Sequence, residues 1–96
     1  MTRAEQIKRN RKAIQKLARQ YGAIDIRVFG SAARGEDTPQ SDIDFLVDME
    51  PGRSLLDMGG LLMELEKLLG CSVDIVTEKS LHWYIRDKVL SEAKAL

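Results

Sequence analysis

Hydrophobic positions along the chain follow two periods. Up to Tyr21 they recur at helical spacing, with Ile7, Ile14, Leu17, Ala18 and Tyr21 on one face and Lys8, Lys12, Lys16 and Arg19 opposite. Thr2 and Glu5 form a capping-box pattern, which predicts one helix running to about Tyr21 and closed by Gly22. From Ala23 to Phe29 the period drops to two: Ile24, Ile26 and Val28 alternate with Asp25, Arg27 and Phe29, a strand with one core face. A short Ala-Ala-Arg-Gly helical segment and a polar loop follow. Ser41 to Asp48 alternates again, with Ile43, Phe45 and Val47 inward and Asp42, Asp44, Leu46 and Asp48 on the other side. Pro51-Gly52 is a turn, and Ser54 with Asp57 caps a helix to about Leu69, closed by Gly70. Its core face carries Met58, Leu61, Leu62, Leu65, Leu68 and Leu69. Ser72 to Val76 is a third short strand, and from Ser80 a last helix aligns Leu81, Ile85, Val89, Ala93 and Leu96. The order is α-β-α-β-α-β-α in a single domain, residues 1–96, of α/β (α+β) class.

Some apolar residues lie off these faces. Leu55, Leu56 and Met63 sit beside Gly59 and Gly60; an irregular helix start is the preferred reading, and an exposed patch for a partner is the second. Trp83 and Leu90 occupy another shoulder, where they close the core edge or anchor a partner. The basic stripe of the first helix reads as a solvated surface, with contact to RNA or an acidic partner as the minority reading.

Composition narrows the function. With 96 residues, 44% of them apolar, the chain builds one core. No apolar run is long enough to span a bilayer and no signal-peptide pattern follows Met1, so the expectation is a cytoplasmic protein without a membrane role. Cys71 is the one cysteine, which excludes an internal disulfide and, with no Cys/His cluster around it, a structural zinc site. His82 lacks a nucleophile context and reads as a first-turn residue. Formal net charge is zero, which argues against strong nucleic-acid binding. The charge is unevenly placed: residues 1–21 carry seven basic and one acidic side chain, whereas residues 36–50 carry six acidic and none basic.

The acidic block holds the chemistry. Asp42 and Asp44 are two apart in a strand, so they share a face with α-carbons roughly 6–7 Å apart. Carboxylates held that close repel unless a cation lies between them. Upstream, Gly30 permits a tight turn and close approach of a ligand to the backbone, and Ser31 adds a hydroxyl and an amide. If a short helix starts at Ala32, its free amides suit a phosphate; read alone, Gly30-Ser31 is merely a turn. Asp74 joins Asp42 and Asp44 if their strands are neighbours in register. Two such metal sites for Mg²⁺ would orient a triphosphate and lower the pKa of an attacking hydroxyl.

Gly30-Ser31-Ala32-Ala33-Arg34-Gly35 followed by Ser41-Asp42-Ile43-Asp44 resembles the signature of the polymerase-beta-type nucleotidyltransferase superfamily. With Val73-Asp74-Ile75-Val76 and Val89-Leu90-Ser91-Glu92-Ala93, the match extends over nearly the whole chain and is similar to the minimal nucleotidyltransferases, the MNT proteins. Trp83 departs from the small or proline residue more common there. The resemblance implies a polymerase-beta-like core, a small mixed sheet packed with helices. It implies an antitoxin that transfers AMP from ATP to a tyrosine hydroxyl of a partner HEPN ribonuclease toxin, releasing pyrophosphate and assembling with that toxin as a hetero-oligomer. Gly30 and Ser31 then carry over as triphosphate contacts, and Asp42, Asp44 and Asp74 as ligands of Mg²⁺, two ions in all. Arg34 either touches phosphate or braces the acidic loop. Two alternatives stand beside this: an antitoxin that acts by binding and occlusion, and nucleotidyl transfer to a small hydroxylated molecule.

Overall fold

The computed structural model of the chain describes residues 1–96. A four-stranded sheet in the order β3-β2-β1-β4 organises it, where β1 is Ala23–Phe29, β2 Ile43–Met49, β3 Val73–Thr77 and β4 Lys94–Ala95. β1 runs antiparallel to both β2 and β4, and β2 runs parallel to β3, so the sheet is mixed as expected. The helices are α1 (Arg3–Arg9), α2 (Arg11–Gln20), α3 (Ser31–Arg34), α4 (Leu55–Leu69) and α5 (Trp83–Glu92), with a 3₁₀ turn at Glu78–Ser80.

The core lies on one sheet face. Phe45 and Ile43 of β2 meet Ile14 of α2 and Leu61 and Leu65 of α4, all fully buried. Both predicted capping boxes form: Thr2 with Glu5 starts α1, and Ser54 with Asp57 starts α4, which ends at Gly70 in the left-handed conformation.

Four local expectations are corrected. The first helix is two, broken at Asn10, whose side-chain amide donates to the Gln6 carbonyl at 2.8 Å. Ile24 is 65% exposed, because the pairing jumps from Ala23↔Met49 to Asp25↔Asp48. That bulge leaves Ile24 unpaired and turns Ala23 inward in its place. α4 starts regularly, and Gly60 has a packing reason: a Cβ there would come within 2.5 Å of the Tyr21 ring. The last helix starts at Trp83 rather than Ser80 and stops at Glu92, after which the chain extends to pair Lys94 and Ala95 with Val28 and Arg27. Leu96 reaches the core from beyond that strand, and the predicted helical stripe is interrupted.

Leu55, Leu56 and Met63 are exposed, as their off-face positions predicted, and Trp83 is 78% exposed. No helix is long and apolar enough to cross a membrane.

Candidate functional site

On the sheet face opposite the core, α5 borders a cleft of about 500 Å³. Its walls carry Gly30, Ser31 and Arg34 from the β1–α3 corner, Asp42 and Asp44 from the start of β2, and Ile85, Lys88, Val89 and Glu92 from α5. The strand alternation that buries Ile43 and Phe45 puts Asp42 and Asp44 into this cleft together.

Gly30 is fixed by geometry. It sits at φ +74°, and a Cβ would collide with the carboxylate of Asp44, lying 3.2 Å from its Cγ. β1 pairs Phe29 with Asp44, so the turn that leaves β1 passes directly over that carboxylate. A residue without a side chain is required there. α3 follows at once: the amides of Ala33 and Arg34 donate to the Gly30 carbonyl, while those of Ser31 and Ala32 begin the helix with no acceptor in it.

The register between β2 and β3 answers the question about Asp74, because Asp44 pairs with Asp74 across the parallel ladder. Asp74 does not border the cleft itself. It acts on Asp44 nonetheless: burial raises the Asp44 pKa above the ordinary carboxylate value, and the charges of Asp74 and then Asp42 add to that rise, with Arg34 opposing it. Asp44 is thus the half-buried carboxylate between two others. The three do not close around one point as a finished three-ligand cage. Mg²⁺ does not need one, since it binds through one or two carboxylates, waters and substrate phosphates. The hard oxygen donors of Asp42 and Asp44, beside a backbone turn open to phosphate, fit that mode.

Arg34 borders the cleft but is engaged. Its guanidinium meets both carboxylate oxygens of Glu92 at 3.1 Å and that of Glu36 at 3.2 Å. Glu36 belongs to the acidic loop, so the bracing arrangement is the one seen, extended to α5. The loop is also held from the far side. The Arg3 guanidinium donates to the Ser41 carbonyl at 2.8 Å, and the Arg3 amide donates to the Asp37 carboxylate at 2.6 Å.

The sequence reading missed Arg3, Lys88 and Glu92. Ile85, Lys88, Val89 and Glu92 recur at i, i+3, i+4 and i+7, so one face of α5 meets the cleft. Lys88 and Glu92, each directly before a residue of the apolar stripe, Val89 and Ala93, were the available signal. His82 caps this helix, its Nδ1 accepting from the Tyr84 amide at 3.1 Å.

A family model described as "Nucleotidyltransferase domain" matches residues 10–96. A candidate protein adenylyltransferase of Methanocaldococcus jannaschii is 45% identical over 73 residues, 76% of this chain and 78% of its own. The protein adenylyltransferase MntA of Thermococcus cleftensis is 45% identical over 78 residues, 81% of this chain and 79% of its own. Among solved structures, a candidate minimal nucleotidyltransferase superposes with a TM-score of 0.88 at 47% identity, covering 100% of this chain and 97% of that one. A toxin-antitoxin crystal structure with AMP-PNP superposes with a TM-score of 0.76 at 27% identity, covering 90% of this chain and 71% of that one.

Proposed function

The chain belongs to the nucleotidyltransferase domain family and is a nucleotidyltransferase, and from that premise we propose that it is an antitoxin that moves AMP from ATP to a tyrosine hydroxyl of a partner HEPN toxin. The carrying observation is the pairing of Asp44 with Asp74, with Asp42 and the Gly30-Ser31 turn at the same cleft. The relatives named as protein adenylyltransferases and the toxin-antitoxin structure with AMP-PNP support the protein acceptor and the adenine nucleotide.

In this reading the free amides after Gly30 and the Ser31 hydroxyl hold the triphosphate. Asp42 and Asp44 would present oxygens to Mg²⁺, with Asp74, beside Asp44 across the ladder, as the third carboxylate. Bound there, Mg²⁺ would neutralise phosphate charge and make the acceptor hydroxyl more acidic. The acceptor oxygen bonds to the α-phosphorus, the bond from that phosphorus to the bridging oxygen of the β-phosphate breaks, and pyrophosphate leaves with the electron pair. The hydroxyl proton passes to solvent.

Intact mass of the protein that co-purifies from native cells, before and after incubation with Mg-ATP, tests this. AMP-sized increments with wild type and none with Asp42→Asn/Asp44→Asn are expected. A partner held tightly at constant mass would replace transfer by occlusion, and modification of a small acceptor by the chain alone would remove the toxin from the account.

A further inference from the structure

We infer that Lys88, on the α5 wall of the cleft, is a triphosphate-binding residue that neutralises the pyrophosphate end of the nucleotide; this rests on the nucleotidyltransferase reading of the site. Two cations border the cleft, Arg34 and Lys88. Arg34 is held by Glu36 and by Glu92 on both its oxygens, the latter side chain only 16% exposed. A phosphate would have to break that pairing to recruit it. Lys88 has no ion-pair partner: none of the ion pairs in the molecule includes it, and neither Asp42 nor Asp44 lies within ion-pair distance of its ammonium. Lys88 is therefore an exposed, unpaired lysine bordering a cleft whose other walls carry phosphate-suited amides and two carboxylates.

Its placement is not accidental to the helix. The Arg34–Glu92 pair ties the end of α5 to α3, and buried Val89 seats the helix beside the strands. Lys88 adjoins Val89 and lies one turn before Glu92, so both anchors hold its backbone at the cleft. A lysine serves phosphate as a mobile point charge, without the planar fit that Arg34 gives to Glu92. During transfer, negative charge grows on the oxygen that leaves the α-phosphorus. An ammonium near the β- and γ-phosphates stabilises that charge and adds affinity for a triphosphate that a monophosphate lacks.

Calorimetric titration of wild type, Lys88→Ala and Lys88→Arg with AMP-PNP and with AMP, each with Mg²⁺, tests the assignment. Lys88→Ala should weaken AMP-PNP about 10- to 100-fold, the loss of one charge-assisted hydrogen bond, and leave AMP within about twofold. Lys88→Arg should retain most of the AMP-PNP affinity. Unchanged AMP-PNP binding in Lys88→Ala, or an equal loss for both nucleotides, overturns the assignment while leaving the nucleotidyltransferase reading intact. Wild type that binds no AMP-PNP overturns both. Circular dichroism confirms folding of each variant, and Lys88→Gln replaces an alanine variant that fails this check.

Discussion

The two faces of β2 are built from alternate residues of one strand and have opposite tasks. Ile43, Phe45 and Val47 are sealed against α2 and α4, and this face holds the molecule together. Asp42 and Asp44 open on the other side into a cleft bordered by α3 and by α5, whose N-terminal residues Trp83 and Tyr84 are 78% and 77% exposed. Burying Asp44 between two like charges costs stability, which protonation or a ligand carrying positive charge recovers. The site is therefore maintained by the core behind it and contributes little to folding itself.

That division breaks first at its strongest point. Phe45→Ala removes a fully buried ring and should cost about 3–5 kcal/mol, read as a lost or much earlier thermal transition. Asp44→Asn on the opposite face should reduce AMP transfer at least about 100-fold and yet raise the melting temperature of the metal-free protein by a few degrees. The sign follows from the raised pKa of Asp44. In metal-free buffer the folded state holds that proton more tightly, so wild-type stability falls as pH rises from the ordinary carboxylate value near 3.8 through the raised one. Asp44→Asn should lose this dependence; urea unfolding at a series of pH values checks it. Equal slopes would place the cost elsewhere.

A smaller contrast lies within α4. Gly60→Ala meets the Tyr21 ring and should destabilise by about 1–2 kcal/mol, net of the helix propensity gained, whereas Gly59→Ala meets nothing within 4 Å and should stabilise by up to about 1 kcal/mol. Smallest is Ser54→Ala, which loses the cap to the Leu56 amide and should cost about 1 kcal/mol in chemical denaturation. None of the three α4 substitutions should change transfer.

Much of this was legible from periodicity. The alternation at Ser41–Asp48 separated the core residues from the aspartates, and the two capping boxes placed the starts of α1 and α4, because both signals act within a few residues. Adjacency of Asp44 and Asp74 was not, since the register of a parallel pair depends on how α4 carries the chain across. The Ile24 bulge, the break at Asn10 and the two-residue β4 come from tertiary pairing and one side-chain hydrogen bond, and leave no periodic trace. Leu46 was placed on the polar side and is 2% exposed. The 3₁₀ turn Glu78–Ser80 packs against β2, a contact that strand alternation does not show.

The most direct test of the account is thermal unfolding of wild type and Asp44→Asn, each without divalent metal and with saturating Mg-AMP-PNP. The account predicts that Asp44→Asn unfolds at the higher temperature without ligand, and that ligand raises only wild type, by on the order of 10 °C at a 100-fold excess over Kd. A variant that starts lower than wild type, or that gains as much from Mg-AMP-PNP, would contradict the claim that this face gives up stability to bind the metal nucleotide.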